Sequence, residues 1–149
     1  MLFGSSTPPE PMGDYTGFLL NWVGARSRES FAIAMEEMGL RPQQFAAMVV
    51  IDANPGMAQQ DLVEATNIDP STMVAMLDAL EQSGLAERRP HPTDRRKRAL
   101  HLTAKGERKL ADARAAAKRV GGQTFGALEP AELAELHRLL RKLAGFAKP

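Results

Sequence analysis

The sequence contains no cysteine. That excludes a disulfide framework, a thiolate zinc site, an iron–sulfur cluster, a cysteine nucleophile and a thiol redox sensor. Aromatic residues are scarce: 5% of 149 residues, with Trp22 and Tyr15 the single tryptophan and tyrosine. No apolar run approaches the roughly 18 residues of a membrane span. The N-terminus lacks the basic start and apolar core of a secretion signal, so a cytoplasmic protein without a membrane partner is expected. Metal-ligand spacing is also missing, because His91, His101 and His137 fall on a predicted loop, strand and distant helix. There is no glycine-rich phosphate loop and no nucleophile elbow. Neither an enzymatic activity nor a cofactor or metal is expected.

What is present suits one globular domain: 44% hydrophobic and 25% charged residues in a chain of 149. Net charge is only +1, from 19 Lys+Arg and 18 Asp+Glu, yet the charges are segregated. Positions 52–82 hold six acidic residues (Asp52, Asp61, Glu64, Asp69, Asp78, Glu81) and no basic one. Positions 88–98 hold six basic residues (Arg88, Arg89, Arg95, Arg96, Lys97, Arg98) against Asp94 alone. Such a stripe is either a solvated loop or a polyanion-binding edge.

The order of elements decides between them. Residues 1–13 carry three prolines and read as a flexible tail. A helix is expected over 14–38, capped by Asp14, with Phe18, Trp22 and Ala25 along one side and Gly39 as its stop. A second helix opens at Pro42, buries Phe45, Met48 and Val49, and ends at Asn54-Pro55-Gly56. Two short helices follow, over about 58–65 and 70–83. Asp69 is placed to cap the latter, Pro70 to occupy its first turn, and Val74, Leu77 and Leu80 to face inward. Strands near 85–89 and 99–102 then flank a loop, 90–97, whose prolines refuse ladder pairing and whose charges refuse burial. Two helices joined by a tight turn and followed by a basic-tipped hairpin make a winged helix-turn-helix.

Thr103 can cap a long helix running to about Val120, where Gly121-Gly122 should interrupt it. Pro130 opens the last helix. There Leu133, Leu140 and Ala147 lie seven apart, interleaved with Leu136 and Leu143 and widened by Leu139. This a/d seam is read as packing against a second copy, with Leu133, Leu136, Leu140 and Leu143 at the dimer interface. The fold class is therefore mainly α with a small β-hairpin wing.

In such a fold helix 70–83 would enter the major groove and loop 90–97 would reach the backbone and minor groove. Asp94 could hold the Arg96 guanidinium in one orientation, or merely start a turn. The motifs Gly39-Leu-Arg-Pro-Gln-Gln-Phe45, Asn54-Pro-Gly56, Ile68-Asp-Pro-Ser-Thr72, Leu77-Asp-Ala-Leu-Glu81, Gly84-Leu-Ala-Glu-Arg88 and Asp94-Arg-Arg-Lys-Arg-Ala-Leu-His-Leu-Thr103 resemble the MarR (multiple antibiotic resistance regulator) family. The resemblance runs from about Asp14 to Phe146, and Asp94-x-Arg96 leading to Leu100-x-Leu102-Thr103 is its most specific part. It implies a single domain over 14–147, with dimerisation helices at 14–38 and 103–147 and a DNA-binding lobe at 42–102. It also implies a homodimeric repressor released by a small aromatic or phenolic ligand, and a two-fold dimer would present helix 70–83 twice, to an inverted-repeat DNA site.

Many members carry arginine at the positions of Ala75 or Ala79. Here base reading would fall to Ser71 and Thr72, with apolar contact from Met73 or Ala75 to thymine methyls. Binding to the DNA backbone would rest on Arg88, Arg89, Arg95, Arg96, Lys97 and Arg98. Tyr15, Trp22, Arg26 and Phe45 are the candidate ligand residues, Arg26 being one turn from Trp22 and able to pair a carboxylate. The alternative is a winged-helix module that binds proteins and no specific DNA, which the uncharged recognition helix motivates. The eight methionines read as core filler rather than an oxidation sensor.

Overall fold

The computed structural model describes residues 7–146. Six α-helices and one hairpin follow in order: α1 Thr16–Glu36, α2 Pro42–Ala53, α3 Gln59–Thr66, α4 Pro70–Gln82, β1 Ala86–Pro90, β2 Arg98–Leu102, α5 Ala104–Thr124 and α6 Pro130–Leu143. A 3-10 turn over Glu10–Met12 precedes them, within the stretch expected to be a tail. The chain divides into two compact units, Phe31–Ala117 and the remainder, up to Ser30 and from Lys118 onward.

The Phe31–Ala117 unit is built around Met35, Met48, Ile51, Leu62, Met73, Leu77, Leu80, Leu100 and Leu110, all fully buried. Three of these are methionines, as a core-filling role requires. Short-range chemistry sets the helix boundaries. Asp69 accepts the Thr72 N–H at 2.9 Å and so caps α4, with Pro70 behind it. Thr103 accepts the Gly106 N–H at 3.0 Å and caps α5, while its hydroxyl donates to the Gly84 carbonyl. The tight turn between α3 and α4 is closed by Asn67 in the left-handed conformation, φ 53°.

Strands β1 and β2 pair antiparallel with Arg88 opposite Leu100. Ala58 adds a one-residue third strand through a bridge to Ala99, and Leu100 exchanges hydrogen bonds with Gly56 and Met57. Loop polarity hides this pairing in the sequence. It explains why neighbouring Ala99 and Leu100 are both buried rather than alternating.

Four expectations require correction. First, α1 begins at Thr16, and the Leu19 N–H bonds to the Tyr15 carbonyl, so Asp14 lies one residue too early to be its cap. Second, α5 runs through Gly121-Gly122 to Thr124. Neither glycine takes a positive φ, so neither terminates the helix, and a cost of about 1 kcal/mol each is tolerated within a long cooperative element. Third, Pro90 ends β1 opposite Arg98, at an edge where a missing N–H costs no ladder bond. Fourth, Val74 is 43% exposed, while Met73 and Met76 are buried. The buried stripe follows Met73, Leu77 and Leu80; a run with spacing three drifts round a 3.6-residue helix and leaves Val74 on the flank.

In the other unit Trp22 is buried and stacks at 5.8 Å, tilted, on Phe18. Helix α6 buries none of its side chains. Ala147, the end of the predicted seam, lies outside the described residues.

Candidate nucleic-acid interface

The outward ridge of α4 carries Ser71, Val74 and Ala75, all exposed, and then the half-buried Asp78. Ser71 donates its hydroxyl proton to Asp69 at 2.6 Å. This bond, then those from Thr72, hold the Asp69 carboxyl at about 2, so it is ionised at the mouth of the helix. Met73 is fully buried, so its predicted contact with thymine is excluded: the side chain lies in the core.

Two channels flank α4. One, about 620 Å³, is lined by Gln59, Gln60 and Glu64 of α3, Pro70 and Val74 of α4, and Arg96, Lys97 and Arg98 of the wing. The other, about 310 Å³, is lined by Arg41, Gln43 and Gln44 at the start of α2 and by Thr72, Ala75 and Ala79 of α4. A helix lying in a major groove has a phosphate backbone on each side. The channels place cations and amides on both flanks, against one carboxylate, Glu64. Arg41 is thus a further candidate for phosphate contact, outside the wing. The signal was present: a basic residue immediately before Pro42 at the exposed start of a helix.

Within the wing, the carbonyl of Asp94 accepts the Lys97 N–H at 3.0 Å, and the Lys97 carbonyl accepts the His91 N–H at 3.2 Å. The Asp94 carboxylate accepts the Arg96 N–H at 3.0 Å and its Nε–H at 3.4 Å. Asp94 therefore both forms the turn and touches the guanidinium, and the Arg96 side chain is 92% exposed. Arg95 and Arg98 are exposed, and Lys97 is half-buried. Arg89 is exposed beside Glu87, with which it pairs.

Arg88 differs from the other wing cations. Its guanidinium pairs with Asp78 and with Glu81, and its side chain is only 19% exposed. It is therefore removed from the expected set of phosphate contacts. Instead it neutralises two carboxylates of α4 that would repel DNA.

The candidate ligand residues separate. Trp22 and Arg26 line an open groove of about 420 Å³ together with Leu19, Val23, Ser30 and Thr124. Tyr15 is 64% exposed and is not part of its lining. Phe45 packs edge-on against Phe31 at 5.3 Å, at the margin of the Phe31–Ala117 core. No cluster of side chains suited to a metal exists among the described residues, and no helix there is long and apolar enough to cross a membrane.

The MarR family model matches residues 40–97. A putative transcriptional regulatory protein for the hcr operon of Thauera aromatica is 36% identical over 105 residues, covering 70% of this chain and 63% of that protein. The transcriptional regulator HosA of Escherichia coli O111:H- is 36% identical over 104 residues, covering 70% of this chain and 77% of HosA. Among solved structures, the transcriptional repressor CouR bound to a 23-mer DNA duplex superposes with a TM-score of 0.81 at 33% identity, over 94% of this chain and 99% of CouR. The chain belongs to the MarR family: it is a winged helix-turn-helix, DNA-binding transcriptional regulator and not an enzyme.

Proposed function

We propose that the protein is a homodimeric repressor that leaves an inverted-repeat operator when a small aromatic carboxylate occupies the groove beside Trp22 and Arg26. That groove carries the ligand reading. It offers an aromatic face, an arginine one helical turn away, and about 420 Å³, within the range of small-molecule sites. The ligand releases DNA only by favouring a conformation unsuited to it, since differential affinity alone shifts an equilibrium.

The dimer reading is supported by the bare apolar face of α6. Leu133 is 38% and Leu143 78% exposed, with Leu136 and Leu140 half-buried between them. A contiguous apolar helix face of this kind marks an association surface. Helices α1, α5 and α6 would supply the dimer contacts and the segment 42–102 the DNA-binding lobe. A two-fold dimer presents α4 twice, so half-sites lie about one helical turn or a multiple apart. Repression is supported by CouR and by MdtR of Bacillus subtilis, both described as transcriptional repressors.

Sedimentation at micromolar concentration tests the dimer: wild type should run as a dimer, and Leu136→Glu/Leu140→Glu as monomer or unfolded chain. A monomeric wild type overturns it. Trp22 fluorescence and thermal stability across benzoates and phenols test the ligand. A carboxylate should shift both in wild type and neither in Arg26→Ala. No response at millimolar concentration rejects the sensor reading.

A further inference from the structure

We propose that α4 recognises thymine by its C5-methyl group, through an apolar step formed by Val74 and Pro70. The observation is the surface of α4 itself. From Pro70 to Asp78 its exposed side chains are Pro70, Ser71, Val74 and Ala75. None can donate the paired hydrogen bonds by which arginine reads guanine or asparagine and glutamine read adenine. Asp78 further along the ridge is taken up by Arg88. Val74 is 43% exposed on a helix whose other large apolar residues, Met73, Met76, Leu77 and Leu80, lie in the core.

The chemistry of the partner follows. Of the four bases only thymine shows a methyl group in the major groove. Val74 is β-branched and held near one χ1 rotamer in a helix, so little side-chain freedom is lost when a methyl packs on it. The occupant is a polyanion with an apolar spot, because Val74 and Pro70 share their channel with Arg96, Lys97 and Arg98. An uncharged apolar peptide would desolvate those cations without supplying an opposite charge, and Asp94 partners Arg96 alone of the three. Phosphates held by the wing beside a methyl held by Val74 satisfy both halves of the channel.

Selection of duplexes from a random pool by the full chain supplies the probe. Each thymine in the recovered half-site is then replaced by uracil, which removes the methyl and leaves every hydrogen-bonding group in place. One position per half-site should lose about fourfold in affinity with wild type, the factor that burying one methyl-sized group gives. The same replacement should cost Val74→Ala almost nothing, because the partner surface is already gone. Val74 is exposed, and an unchanged melting temperature confirms that the variant folds. Equal losses in both proteins, or no uracil-sensitive position, overturn the proposal while leaving DNA binding intact. A pool that yields no enriched sequence overturns this proposal and sequence-specific binding together.

Discussion

Glu81 accepts both the backbone N–H and the Nε–H of Arg88, each at 2.9 Å. One carboxylate thus ties the recognition helix to the first strand of the wing at two points, and Asp78 adds a third contact to the same guanidinium. The arrangement sets the wing's first strand against α4. It also cancels acidic charge on a helix that has no basic residue of its own.

Removing the guanidinium should therefore harm stability and DNA binding together. Arg88→Ala is expected to cost roughly 1–2 kcal/mol, between an exposed pair and a buried one. Arg88 holds the Glu81 carboxyl below the usual carboxylate range. The depressed folded-state value means that its stabilisation is complete above about 4.5, the ordinary value, and fades as pH falls through the folded one. Denaturant melts of wild type, Arg88→Ala, Glu81→Gln and the double variant form the check. Additive losses would show that the two side chains are not coupled.

Asp69 gives a second acid-sensitive contribution with a defined window. Its carboxyl lies at about 2, against 3.8 ordinarily, because the Ser71 hydroxyl and the Thr72 hydroxyl and N–H donate to it. The cap stabilises fully above about 4 and is lost as pH falls from there to about 2. Denaturation midpoints of wild type and Asp69→Ala should differ at pH 5 and converge over that interval. A difference independent of pH would exclude the capping carboxylate as its source.

Gly106 tolerates no side chain. A Cβ there would stand 1.9 Å from the Leu85 carbonyl oxygen, so the start of α5 and the turn before β1 can approach only across a glycine. Gly106→Ala should destabilise by roughly 2–3 kcal/mol, although alanine is the better helix former. An unchanged urea midpoint would contradict the close approach.

The wing variants separate charge from orientation. Arg95→Ala should weaken all duplexes about equally and lower the log–log salt slope by about 1, and Arg41→Ala should do the same from the opposite flank of α4. Arg96→Ala should cost more, roughly 1–3 kcal/mol, and most where A·T-rich flanks narrow the minor groove. Asp94→Ala decides what the 3.4 Å contact with Arg96 does. Weaker binding, despite one negative charge fewer, is the outcome if Asp94 orients Arg96. Tighter binding in anisotropy titrations would leave it as a turn former that repels phosphate.

The order of elements, the caps at Asp69 and Thr103, the helix-opening roles of Pro42, Pro70 and Pro130, and the exposed basic loop were legible along the chain. These rest on hydrogen bonds and dihedral limits reaching three or four residues, so local residue types suffice to specify them. Packing turns Val74 out and Met73 in, because adjacent helix positions lie about 100° apart and the core selects the phase. It likewise decided that Arg88 serves α4 rather than DNA, through partners seven and ten residues away on another element. The bridge from Ala58 to Ala99 and the contact of Gly106 with Leu85 belong to the same class. Each depends on how separate segments dock, and docking is set by the whole packed interior rather than by neighbours along the chain.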